Sequence, residues 1–82
     1  MMIKTINEQI GMLVAFQADG TIMPVLFSWR GEKYRDFETA STRTVPEGQF
    51  AKVYFDLKQG DTTYEVYFYT KRLHWVLSKI HS

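Results

Sequence analysis

Apolar and polar residues alternate with a period of two along most of this chain, and that period belongs to β-strands rather than to helices. The clearest case is Ala51, Val53, Phe55 and Leu57, interleaved with Phe50, Lys52, Tyr54 and Asp56. Tyr64, Val66 and Phe68 alternate in the same way with Glu65, Tyr67 and Tyr69. Met23, Val25, Phe27 and Trp29 form a third such series, leading into a turn at Gly31 and a further strand at Tyr34. Each series predicts a strand with one buried face.

The punctuation between the series sets the boundaries. Thr5 and Glu8 have capping-box spacing, which favours a helix start, but Gly11 follows at once and Ile10, Met12, Val14 and Phe16 alternate. The expectation is a first strand over residues 10–17, preceded by a lead-in over residues 3–9 that holds a short turn. Ala18-Asp19-Gly20 supplies a hairpin connection. A second strand follows over residues 21–30, with Pro24 at an edge, a strand start or a bulge because it cannot donate a ladder hydrogen bond. The third runs from about Lys33 toward Arg43, with a bend near Asp36 that brings Tyr34 and Phe37 to one side. Thr44-Val45-Pro46-Glu47-Gly48 reads as a loop. Strands over residues 50–57, 62–69 and 74–80 complete the series, joined by turns at Gly60 and at Lys71-Arg72-Leu73.

Six short strands with close turns predict an all-β fold, an antiparallel meander curled into a small SH3-like barrel or a strongly bent sheet. The 82 residues make a single domain, 1–82. An apolar share of 45%, with 16% aromatic, gives so short a chain enough material for a core. There is no cysteine, which excludes a disulfide scaffold, a thiolate metal site and a cysteine nucleophile, and fits a cytoplasmic protein. No apolar run reaches membrane-spanning length, and the N-terminus lacks a secretory leader pattern, so a soluble, untargeted protein is expected.

Charge and motifs narrow the function. A net charge of +1 offers little bulk attraction to nucleic acid unless it is segregated. Segregation exists: no acidic residue follows Glu65, whereas His74, His81, Lys71, Arg72 and Lys79 do. Read plainly, those charges protect a solvated sheet edge. His74 and His81 lie seven positions apart, predicting opposite strand faces and no shared metal. No metalloprotease, phosphate-loop or nucleophile-elbow motif is present, so neither enzyme chemistry nor a cofactor is expected.

The positive signal is aromatic residues interleaved with cations: Trp29, Arg30, Lys33, Tyr34, Lys52, Tyr54, Tyr67, Tyr69, Lys71 and Arg72. Exposed rings beside cations are how small β domains stack single-stranded bases. Pairing through the Gly60 turn puts Lys52 and Tyr54 on one face with Tyr67 or Tyr69. The same residues suit a protein partner, or a homodimer formed through a sheet edge, and each ring taken singly also fits ordinary cross-strand packing.

The pattern Pro24-x-x-Phe27-x-Trp29-Arg30-Gly31-x-x-Tyr34, preceded by Asp19-Gly20, resembles the signature of a small bacterial family of uncharacterised all-β domains. Lys52-Val53-Tyr54, Tyr64-Glu65-Val66-Tyr67 and Trp75-Val76-Leu77 are similar, in order, to the family's later strands. The family is similar in turn to a C-terminal module of Y-family polymerase-like mutagenesis proteins. The resemblance implies an all-β fold and a tilt toward DNA transactions.

Overall fold

The computed structural model describes residues 2–82. Among them are seven strands and no helix: β1 (Ile3–Phe16), β2 (Ile22–Trp29), β3 (Glu32–Tyr34), β4 (Glu38–Glu47), β5 (Phe50–Gln59), β6 (Thr62–Tyr69) and β7 (His74–His81). All pair antiparallel in one sheet, in the order β3-β2-β1-β7-β6-β5-β4. The long β1 joins the two halves. Residues Ile3 to Ile10 pair with β7, and Gly11 to Phe16 pair with β2.

This sheet folds over on itself. Phe27 on β2 and Tyr64 on β6 are three strands apart, about 14 Å in a flat sheet, yet their ring centroids lie 5.3 Å apart. The enclosed layer holds Ile10, Phe27, Phe55, Leu57, Val66 and Leu77, four of them fully buried. Burying such side chains contributes roughly 1.5–3 kcal/mol each, which is what holds the bend. Tyr34 stacks on Phe27 at 4.8 Å and Phe37 lies 5.9 Å from it, both on one side because Asp36 takes a left-handed φ of 61°.

Several expectations are corrected. The strands number seven, not six, because the bend at Asp36 divides the expected third strand into β3 and β4. The sheet is strongly bent but not closed into a barrel: β3 and β4 are its two ends and pair with β2 and β5 alone. Residues 3–9 are strand, since β7 supplies ladder partners from Ile3 onward; the irregularity between Thr5 and Glu8, with Asn7 at φ 54°, is the only trace of a turn there. Residues 44–47 are strand too, because Pro46 sits on the sheet's terminal strand, where a missing N–H costs little. The basic last strand is no edge: β7 is the fourth of seven.

Bulges account for the misplaced faces. Leu13 opposes Leu26 but Val14 opposes Pro24, so Val25 is an extra residue and the alternation inverts there. Pro24 is buried and Phe27 fully so, while Met23 and Val25 are exposed. Phe16, at the end of β1, is exposed as well. In β7, Glu65 opposes Lys79 but Val66 opposes Leu77, leaving Ser78 extra. His74 and His81 therefore share the outer face, opposite Tyr69 and Thr63. Seven strand positions apart, they are separated by on the order of 20 Å.

Candidate nucleic-acid interface

Two-residue hairpins at Gly48-Gln49 and Gly60-Asp61 set the register of β4, β5 and β6. Arg43 opposes Tyr54, which opposes Tyr67, which opposes Val76; one row along, Val45 opposes Lys52, then Tyr69, then His74. Directly opposed residues in an antiparallel pair share a face. Phe55, Val66 and Leu77, next in sequence to members of these rows, point into the core. The rows thus lie on the outer surface of β4–β7.

Ring and cation contacts run across this surface. Tyr54 and Tyr67 are 5.0 Å apart at 46°, and Tyr69 lies 6.0 Å from the His74 ring. The Arg43 guanidinium sits 4.3 Å over Tyr54, and the Lys52 ammonium is 5.2 Å from Tyr67 and 5.6 Å from Tyr69. Lys71, in the β6–β7 turn, reaches 5.9 Å from Phe50. Both inner cations also have carboxylate partners: Arg43 is 3.1 Å from the buried Glu65, and Lys52 is 3.5 Å from Glu47. Desolvation works against the Lys52 charge, but Glu47 and the surrounding phenols outweigh it and hold its pKa above the ordinary lysine value. Lys52 stays cationic, with half-buried rings on either side.

The expected residues divide into two groups. Lys52, Tyr54, Tyr67 and Tyr69 form the centre of the outer surface, with Lys71 at its margin. Arg72 is exposed in the same turn. Trp29, Arg30 and Tyr34 are not on that surface: Trp29 and Tyr34 pack against the core, 6.1 Å apart. Trp29 Nε1 donates to Glu8 at 2.9 Å, and Arg30 grips the same carboxylate through Nε and Nη2 while lying 4.6 Å over the Trp29 ring. Hydrogen bonding from Arg30, then Trp29, lowers the Glu8 pKa below its ordinary value. Burial, with Glu32 nearby, raises that of Tyr34 and keeps it neutral. Trp29 and Arg30 fasten the β2–β3 hairpin to β1, and Tyr34 packs it against Tyr64 of β6. Lys33 is exposed on β3, opposite Ser28, five strands from Lys52.

Arg43 and His74 belong to the surface, although the aromatic and basic spacing did not single them out. The signal for Arg43 was the Gly48 turn: read as a two-residue hairpin, it sets Arg43 opposite Tyr54. Among the described residues, no three His, Asp or Glu side chains gather closely enough to hold a metal ion. Nor, among these residues, is any helix long and apolar enough to cross a membrane. Comparison with family models, with curated proteins and with solved structures finds no match.

Proposed function

We propose that this protein is a non-enzymatic, cytoplasmic binding module that takes single-stranded nucleic acid across the outer surface of β4–β7. One observation carries the reading. Tyr54 and Tyr67 are cross-strand partners 5.0 Å apart, Tyr69 is the next outward residue along β6, and Arg43 and Lys52 lie against these rings. Bases have π-faces to stack on such rings, and phosphates compete with Glu47 and Glu65 for the two cations. The Phe27-x-Trp29-Arg30-Gly31 stretch resembles the signature of an uncharacterised family that is similar in turn to a module of mutagenesis proteins, and that resemblance tilts the reading slightly toward DNA.

Binding of a fluorescently labelled oligonucleotide, titrated with salt, tests this. Micromolar protein binds at low ionic strength, and affinity falls as salt rises because phosphate contacts release counterions. Tyr54→Ala and Tyr67→Ala each weaken binding by about tenfold, the loss expected from one stacked base. Absence of salt-sensitive binding refutes the reading.

A second reading rests on β4. It is exposed over its whole length and has a partner on one side only. Pairing of this edge with a second copy or a partner strand is the protein-interaction alternative. Light scattering on a size-exclusion column reveals a dimer if the edge self-pairs.

A further inference from the structure

The bent sheet leaves a seam where a closed barrel would have none. β3 pairs with β2 only at Phe27, Ser28 and Trp29, so residues 22–26 of β2 have β1 on one side and no strand on the other. β4 likewise has β5 on one side only. A cleft of about 340 Å³ lies between these two edges, lined by Gly20, Thr21, Ile22, Thr42, Val53 and Phe55. Ile22 belongs to the β2 edge and Thr42 to the β4 edge, while Val53 and Phe55 form an apolar floor. None of the six side chains is charged.

We infer that this seam is a second binding site, for an extended, uncharged segment of a partner polypeptide that adds a strand between β2 and β4. Apart from Pro24, which has no N–H, the two unpaired strand edges present backbone donors and acceptors, and an extended chain satisfies them by ladder hydrogen bonds. Every second side chain of such a segment points toward the Val53 and Phe55 floor. The cleft volume is at the small end of ligand sites and suits a few apolar side chains, not a folded domain. A nucleic acid strand does not fit, because the lining has no cation for its phosphates. The site is independent of the outer surface: Val53 and Phe55 are on the opposite face of β5 from Lys52 and Tyr54.

Panning the intact protein against a phage-displayed library of random heptapeptides tests the inference. Enriched peptides are expected to lack charges and to alternate apolar with small polar residues. Synthetic copies with methylated backbone nitrogens are expected to bind at least tenfold more weakly, since methylation removes ladder donors but keeps the side chains. Val53→Glu and Thr42→Glu each abolish peptide binding and leave oligonucleotide binding intact; Thr42 is exposed, so its variant folds even if Val53→Glu does not. No enrichment, or equal binding of the methylated copies, or undiminished binding by the folded Thr42→Glu protein, overturns the proposal.

Discussion

Three donors converge on the Glu8 carboxylate, and no local motif announces it. Thr5 and Glu8 have the spacing of a helix cap, yet Glu8 accepts instead from Trp29 and Arg30, more than twenty residues away. Because its folded pKa is depressed, the unfolded chain protonates first as pH falls. The stabilisation is fully present above the ordinary value of 4.5 and is lost below it. Glu8→Gln therefore lowers Tm at neutral pH, and the gap from the parent narrows as the solution is acidified below that value. Thermal denaturation across this range checks it; a gap that stays constant contradicts it. Gly11 is a second residue-scale constraint. A Cβ there would lie 2.6 Å from Ser28 Oγ, so Gly11→Ala forces the Ser28 hydroxyl out of its rotamer and destabilises by on the order of 1 kcal/mol. The double variant with Ser28→Ala, which removes the clashing oxygen, recovers most of the loss in a denaturant titration.

At the scale of elements, legibility followed regularity. β5 and β6 keep an unbroken register from Lys52 opposite Tyr69 to Gln59 opposite Thr62, and their alternation was readable residue by residue. β2 was not, because Val25 is an extra residue and a pattern with period two gives no sign of where it inverts. The stretch before Gly48 was misread for a different reason. Pro46 signals a loop unless its strand is at the end of the sheet, and strand order is a long-range property. The β6–β7 turn provides a test. Leu73 adopts a left-handed φ of 53° and is 74% exposed. Leu73→Gly relieves the backbone strain at little cost in burial and stabilises the fold by about 0.5–1 kcal/mol, net of the entropy glycine adds to the unfolded chain. Calorimetry registers this as a rise in Tm, and a fall contradicts the strained-turn account.

For the molecule as a whole, the all-β class was legible and its closure was not. Alternation says which side of a strand is buried but not whether the first and last strands meet. Here the bend brings Phe27 onto Tyr64, while β2 and β4 are left facing a cleft. The same limit explains the division of the candidate site. Aromatic and basic residues look alike in sequence whether they face outward, like Tyr67, or serve the core, like Tyr34 stacked on Phe27. What distinguishes them is the register across four strands, which groups Arg43, Lys52, Tyr54, Tyr67, Tyr69 and His74 on one surface. Amide chemical-shift mapping by NMR, with a short single-stranded oligothymidine added, examines that surface directly. The largest shifts are predicted at Lys52, Tyr54, Tyr67, Tyr69 and their cross-strand neighbours, with Trp29 and Tyr34 unmoved. Shifts centred on Trp29 and Arg30, or no shifts at saturating oligonucleotide, would contradict the account.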